Sequence, residues 1–592
     1  MTLPGPPPAG PVPVGAVPVG AVAAEPRAPR PEVLLDELLT RAAAPGGAFD
    51  PAELARLDEA EEFPAAAYRL LHEAGVPAQY VPCRHGGELR GLDGLMAVVR
   101  TVARRDLTVA IAHGKTSLGA MPLWVAGSPA QAAGLAAEIL AGAEVCWGLT
   151  EAGSGSDLLA GRLTARPHAR GGLRLDGAKW LINNATRARF ACVLARTRSE
   201  GGPRGFGFVL VDKDTLPAET HRALPKERTH GIRGADISGI EFTGARVPET
   251  TLVGRADSGF EVVLKSLQLT RIFSTSLSLG AADHALPIAV RFLADRPLYG
   301  HQLGELPRVR RVLGEAAAAF LLAESVAVLS ARAAQTLTGE LSVLAAVTKA
   351  FVPTTVQRAV DALADLLGVR GFLTSHTEDG AFAKLDRDHR IVAVFDGSTA
   401  VNRHALITAF PLLARAHAAQ ARDEEGLAAA ARIHGPQPEL DPGLLSLISA
   451  GGCTAVQSLP QLARRAGERG REDITAAAHA LAAESARLHQ EIGARRESPG
   501  RASAAAFDLA QRYELCYAGA AALALWTHNT PGPGARWWRE DLWVRACLTL
   551  VLSRLGLETP PGPDARDLLC DEILDGGLTE GEFSLLHGLG DR

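Results

Sequence analysis

Cys146-Trp-Gly-Leu-Thr-Glu-Ala-Gly-Ser-Gly-Ser-Asp157 is the stretch on which the reading of this fold turns. Gly153, Ser154 and Gly155 carry almost no side chain, so the backbone here can approach a ligand closely. Thr150 and Ser156 add hydroxyls, and exposed N–H groups in such a turn can cradle an anion. The same composition also suits an ordinary turn between two kinds of structure, and the flanks do change character across it. Upstream, PEVLLDELLTRAAA from Pro31 puts Leu34, Leu35, Leu38 and Leu39 on one helical face, and GLDGLMAVVRTVARRD keeps that period. Downstream, GRLTARPHARGGLRLDGAKWLINN, RFACVLART, GFGFVLVDKDT and ISGIEFTGARVP are short β-branched runs separated by Gly and Pro turns.

From Phe260 the pattern is helical again, in runs long enough to span a bundle. Beyond His417 more helical segments follow, broken by TPGPGAR and TPPGPDAR. The expectation is an α+β protein: a disordered Pro/Ala-rich tail (1–30), an N-terminal helical domain (31–143), a central antiparallel β-barrel or sandwich (144–256), a C-terminal four-helix bundle (257–417) and an additional all-α domain (418–592). No internal repeat of 20–50 residues is visible.

The chain has 592 residues, enough for several ordinary domains. Lys+Arg 61 against Asp+Glu 66 gives a net charge of −5, which excludes the basic field of a general nucleic-acid binder. The basic residues are nearly all Arg. Seven cysteines are scattered without a C-x-x-C pair, so neither a disulfide framework nor a zinc site is expected. No uninterrupted apolar run reaches the roughly 18 residues of a membrane span. The N-terminus lacks the basic and apolar regions of a signal peptide. A soluble cytoplasmic protein is expected.

A second unusual segment is Leu385-Asp-Arg-Asp-His-Arg-Ile-Val-Ala-Val-Phe-Asp-Gly-Ser-Thr-Ala-Val-Asn-Arg403. Asp396 follows the apolar run 391–395 and precedes Gly397; a carboxylate so placed suits a general base. Equally, it could cap the next helix with Ser398 or Thr399 assisting. The cluster 387–390 reads as an ion-pair network.

Taken in order, these segments resemble the acyl-CoA dehydrogenase superfamily of flavoproteins. The T-E-x-x-x-G-S-D turn is met by Thr150-Glu151 and Gly155-Ser156-Asp157, and the G-x-K-x-W-I-T-N strand by Gly177-Ala-Lys179-Trp-Leu-Ile-Asn-Asn184. Gly231-Ile-Arg233, Phe242, Val247-Pro248 and Gly254 match a third block, Arg296-Pro-Leu-Tyr-Gly300 a fourth. Arg387-Asp-His-Arg390, Asp396-Gly397-Ser398 and Arg403 match the last. The resemblance covers about residues 33–415. It implies FAD held between β-domain and bundle, in a homodimer or homotetramer. It implies Asp396 as the base taking an acyl-thioester α-proton while the β-hydride passes to flavin. The carrier would be coenzyme A or an acyl-carrier-protein arm, and the acceptor an electron-transfer flavoprotein or O2.

For the cofactor the resemblance implicates Trp147, Thr150, Gly155, Ser156, Leu181, Asn183, Arg296, Asp365, Gly368, Ser398 and Ala400; for the substrate, Ser156, Arg271 and Gly397. Trp180, Phe273, Phe372 and Phe395 are further pocket candidates.

Several positions depart from the family pattern. Its glutamate is Asp396, its flavin-facing tryptophan falls on Leu181, and its threonine falls on Asn183. The alternative base position before Arg271 is Thr270. In the segment matching Q-x-x-G-G-x-G, Gln is Asp365 and the middle Gly is Val369. Nitroalkane oxidase, a superfamily member, uses aspartate at the base position. A flavin oxidase or monooxygenase, among them the epoxyketone-forming relatives, is therefore a second reading, and a catalytically decayed scaffold a third.

Overall fold

The computed structural model describes residues 30–198, 202–375, 377–495, 500–532, 534–587 and 589. All of the expected tail except Arg30 lies outside them. The N-terminal helices are α1 (Pro31–Ala42), α2 (Pro51–Glu59), α3 (Ala65–Glu73), α4 (Leu92–Arg105), α5 (Leu107–Ala126) and α6 (Pro129–Leu140). Of the four leucines expected on one face of α1, Leu35 and Leu39 are buried, whereas Leu34 points outward. Asp106 ends α4 and caps α5 by accepting the Val109 N–H. Helix α5 is apolar nearly all round and lies in the core.

The β region comprises β1 (Val145–Gly148), β2 (Thr164–Pro167), β3 (Leu173–Asn183), β4 (Phe190–Arg196), β5 (Phe206–Asp212), β6 (His221–Leu224), β7 (Ile237–Val247) and β8 (Leu252–Val253). Their order is β6-β7-β3-β2-β4-β5-β8, with β1 on β4. Where the sequence predicts an antiparallel barrel or sandwich, the sheet is instead mixed. Strands β1 and β2 both run parallel to β4, and among the described residues the terminal strands β6 and β8 do not pair with each other. The sheet is mixed because β1 enters straight from α6 rather than through a hairpin.

After β8 come α7 (Gly259–Phe273) and α8 (Thr275–Asp295), a small hairpin of β9 (Pro297–Leu298) and β10 (His301–Gln302), then α9 (Pro307–Thr336), α10 (Leu341–Leu367), α11 (Val369–Phe372), α12 (Ala381–His389) and α13 (Thr399–Ala418). Helix α10 packs against α7, α8, α9 and α13. Two stretches, 259–295 and 307–336, are long and apolar enough to cross a membrane, yet both are mostly buried inside the protein. They are core helices.

The C-terminal region folds as α14 (Glu424–Ala431), α15 (Thr454–Gln457), α16 (Leu459–Glu468), α17 (Glu472–Ala494), α18 (Ala504–His528), α19 (Leu542–Leu555) and α20 (Ala565–Gly576). These helices share a core with the bundle: α14, α18, α19 and α20 lie on α9, and α17 and α18 lie on α13. Arg403 of α13 makes a bidentate pair with buried Glu514 of α18, at 2.7 and 2.9 Å. The apolar faces of these helices are thus largely buried within the chain, whereas Leu444, Leu447 and Ile448 in the loop before α15 are exposed.

Candidate active site

A cavity of about 590 Å³ lies between α5, α7, the loop after β1, the end of β3, the loop 229–232 and the segment 387–397. That size suits a small-molecule site. Of the residues singled out from sequence, Trp147, Thr150, Gly155, Ser156, Leu181, Asn183, Arg271, Phe273, Phe395, Asp396 and Gly397 line it.

Strand β3 delivers two of these through an irregularity. Its pairing with β7 shifts register between Trp180 and Ile182, and Leu181 at the break has φ +55°. A left-handed leucine costs about 1 kcal/mol, and such strain concentrates at functional sites. The bulge turns Leu181 into the cavity and carries Trp180 away from it. The Trp180 indole instead donates to Glu227 at 2.8 Å, which removes Trp180 from the pocket candidates. Asn183 is buried, its Nδ2 donating to the Ile111 carbonyl at 3.3 Å while its Oδ1 has no partner.

Glu151 and Lys179 of the two motifs serve the scaffold. Glu151 accepts from the Arg162 N–H (2.7 Å), the Leu163 N–H (3.1 Å) and Lys179 Nζ (2.7 Å). Burial pushes its carboxyl up, but Lys179 and the backbone donors prevail and hold it below the usual range. This clamp fixes the loop carrying Thr150, Gly155 and Ser156.

The segment 390–397 is a 3₁₀ turn (Arg390–Ala393) followed by a sharp reversal in which Asp396 has φ +54° and Gly397 φ +94°. Two side chains pin the reversal. Arg271 Nε donates to the Asp396 carbonyl at 3.1 Å, and Asn402 Nδ2 donates to the carbonyls of Gly397 (2.8 Å) and Ser398 (3.0 Å). Burial pulls the Arg271 guanidinium down to about 10, with Asp396 opposing. A side chain at Gly397 would press on Arg271 and Asn402, at 3.0 and 3.2 Å from a Cβ. The Asp396 carboxylate faces the cavity with its Oδ2 buried and without a partner. The cap of α13 is Ser398, which accepts the Val401 N–H; Asp396 does not cap. Behind the Phe395 ring, Lys349 donates to Ser274 Oγ (3.1 Å) and the Val392 carbonyl (2.7 Å). Burial pulls its ammonium down to about 7.

Five of the cofactor candidates stand outside the cavity. Arg296 ends α8, and Asp365 and Gly368 lie exposed at the end of α10. Ser398 is engaged as the cap, and Ala400 is exposed on α13. Phe372, a pocket candidate, is 84% exposed on α11. The 387–390 cluster is the expected ion-pair network: Arg387 with Asp58, Asp388 with Lys384, Arg390 with Asp386 and Asp361. Asp388 also accepts the Ile232 N–H and so holds one wall of the cavity. Sequence reading quoted Gly231 and Ile232 of that wall only as part of a family block, and missed Thr229, His230, Lys115 and Lys349. In a chain so rich in Arg the two lysines are rare cations, each within an apolar stretch of its helix, but that pattern does not say what they face.

Around the cavity the indole N–H of Trp147, Asn183 Oδ1 and Asp396 Oδ2 are buried without partners, while Leu181, Ile182, Ile232 and Ile391 supply apolar surface. Unpaired donors and acceptors between flat apolar walls fit a heteroaromatic ring system with polar edges, such as a flavin.

Models of the acyl-CoA dehydrogenase N-terminal, middle and C-terminal domains match residues 50–143, 146–245 and 257–410. The chain belongs to the acyl-CoA dehydrogenase family, whose members are FAD-dependent oxidoreductases acting on CH–CH bonds. A probable acyl-CoA dehydrogenase of Mycobacterium tuberculosis is 28% identical over 357 residues, 59% of this chain and 88% of its own. The acyl-CoA dehydrogenase of Bacillus anthracis complexed with FAD superposes with a TM-score of 0.65 at 19% identity, over 92% of this chain and 94% of that one. Its match therefore extends beyond the three family domains into the C-terminal helices. The prolyl acyl carrier protein oxidase AnaB superposes with a TM-score of 0.57 at 18% identity, over 64% of this chain and 98% of its own.

Proposed function

We propose that the protein is an FAD-dependent acyl-thioester dehydrogenase in which Asp396 removes the α-proton. The observation that carries this reading is the Asp396 carboxylate: one oxygen buried and unpaired, facing a mostly apolar cavity, on a backbone pinned in a left-handed turn by Arg271 and Asn402. Bound FAD would supply a two-electron hydride acceptor beside the acyl β-carbon. Trp147, Thr150, Leu181 and Asn183 would hold its ring, and Ser156 would meet the thioester arm. Among the described residues the Asp396 N–H has no acceptor. With its carbonyl tied to Arg271, this N–H is free to polarise a thioester carbonyl and so acidify the α-carbon. The base and the carbonyl donor then belong to one residue, which fixes their separation.

Asp396, one methylene shorter than glutamate, makes the substrate sit nearer the loop. Arg296, Asp365 and Gly368, away from this chain's cavity, would contact the FAD of a second subunit in a homodimer or homotetramer. The carrier is coenzyme A or a carrier-protein arm; AnaB is by name an oxidase of a carrier-protein substrate. A cytoplasmic site of action, with electron-transfer flavoprotein as acceptor, completes this reading. The second reading, an oxidase, is favoured by the aliphatic Leu181 at the family's flavin-facing aromatic position and by aspartate as base. Anaerobic titration of the purified holoprotein with acyl-thioesters tests the first: the flavin band bleaches, and no bleaching by any thioester removes the proposal. Admitting air then separates the two, since reoxidation within seconds without another acceptor is the oxidase outcome.

A further inference from the structure

The cavity carries a charge imbalance that its protein partners leave unresolved. Four cationic side chains line it, Lys115, Arg271, Arg387 and Arg390, beside His230, against the single carboxylate of Asp396. Arg387 is accounted for by Asp58 at 2.9 Å, and Arg390 by Asp386 at 2.8 Å and Asp361 at 3.1 Å. Among the described residues Arg271 has only the Asp396 carbonyl as acceptor. Lys115 has nothing comparable. It projects from the apolar helix α5, between Ile111 and Leu118, into the cavity, and pairs with no carboxylate or hydrogen-bond acceptor among the described residues. Its contact is the face of Phe395, 5.5 Å from Nζ to the ring centroid, and Phe395 is the residue before Asp396. Lys349 stands 4.2 Å from the same ring and adds positive charge behind it.

A half-buried ammonium on an apolar wall costs free energy unless a countercharge arrives. Lys349 repels it further, and among the described residues Asp396 is the only acid on the cavity wall. We propose that the countercharge comes from the substrate: the acyl group carries a carboxylate of its own, which pairs with Lys115 Nζ at the α5 end of the cavity. This rests on the acyl-thioester reading and names its substrate class, the monothioester of a dicarboxylic acid. The reacting carbons lie at Asp396 and the second carboxylate at Lys115, so Phe395, which touches both regions, marks the acyl chain's path. The ammonium would select by charge, since an uncharged chain of equal length leaves it desolvated and unpaired.

The test uses the FAD-loaded enzyme and matched coenzyme A thioesters: butyryl against succinyl, valeryl against glutaryl, hexanoyl against adipyl. The readout is kcat/KM, with the anaerobic bleaching rate beside it. In at least one pair the carboxylated member is favoured by about tenfold or more; Lys115→Met reduces that ratio by about tenfold or more, and Lys115→Arg retains most of it. Preference for the uncharged member in every pair overturns the proposal, and the unmodified protein alone decides this should the variants not fold. A ratio unchanged in Lys115→Met also overturns it. If that variant instead shifts the flavin potential with the ratio unchanged, the cofactor is the countercharge and the proposal fails. Bleaching by neither member of any pair overturns this proposal, while the dehydrogenase reading stands or falls on the wider titration with acyl-thioesters. Bleaching by uncharged thioesters alone removes only this proposal.

Discussion

Glu151 and Asp396 stand on the same cavity's supports and have opposite surroundings. Glu151 has a cation and two backbone N–H groups on its oxygens, and its carboxyl is held in the ionised form. Asp396 has one oxygen buried with no donor at all, although Arg271 and Lys349 are close enough to act on it. Arg271 donates to the Asp396 backbone carbonyl, so the carboxylate stays unpaired. A carboxylate whose lone pairs are filled builds structure; one left unfilled in a cavity is available to take a proton. Glu340 falls between the two. It is buried and accepts from the N–H and hydroxyl of Thr454, joining the α9–α10 corner to α15, but among the described residues no cation pairs with it.

This contrast predicts the largest effect at Asp396. Asp396→Asn keeps the shape and the pinned turn and removes the proton acceptor. The rate of flavin bleaching by a competent thioester should fall roughly 10³- to 10⁴-fold, with the bound flavin spectrum and Tm little changed. Bleaching at near the original rate would take Asp396 out of its role. The mirror-image prediction concerns the filled carboxylate. Lys179→Met leaves Glu151 buried without its cation and should cost about 3 kcal/mol or more in denaturant unfolding. Glu151→Gln together with Lys179→Met should recover much of that loss. A double variant as unstable as the single one would mean that Lys179 acts through packing alone.

How far this was legible in the sequence depended on distance along the chain. Strands β3, β4, β5 and β7 follow from β-branched runs between Gly and Pro turns, and the helices follow from apolar periodicity. Asp396 was visible because a carboxylate, a glycine and a helix start sit within a few residues of an apolar run. Leu181 entered only through the resemblance, because the bulge between Trp180 and Ile182 leaves no trace in the strand's apolar pattern. The parallel pairing of β1 with β4 leaves no local trace, since it depends on where α6 delivers the chain. Lys115 was illegible as a site residue for the plainest reason: its meaning lies in Phe395, 280 positions away. Arg296, Asp365 and Gly368 carry the reverse lesson. Their motif was readable, but one chain's geometry does not bring them to its own cavity.

Glu340 sharpens the comparison through pH. Burial pushes its carboxyl up to about 7, against the pull of the Thr454 donors. The folded state therefore binds the proton more tightly than the unfolded chain. Its contribution is fully present below about pH 4.5 and is lost as pH rises through about 7, up to about 3 kcal/mol in all. Glu340→Gln should flatten that part of the stability–pH curve between pH 4.5 and 8. An unchanged slope would show that Glu340 titrates alike in both states, and the intermediate case would vanish.

The smallest effect separates the two meanings of the motif that follows Asp396. By resemblance Ser398 belongs to the cofactor, whereas its hydroxyl accepts the Val401 N–H as the cap of α13. At 3.4 Å the bond is long, so Ser398→Ala should cost about 1 kcal/mol or less. That change should appear as a lower denaturation midpoint, with flavin occupancy and bleaching rate retained. Loss of flavin at unchanged stability would return Ser398 to the cofactor. The cap would then be incidental, and the strict division between residues that hold the Asp396 turn and residues that meet the ligand would fail at the turn itself.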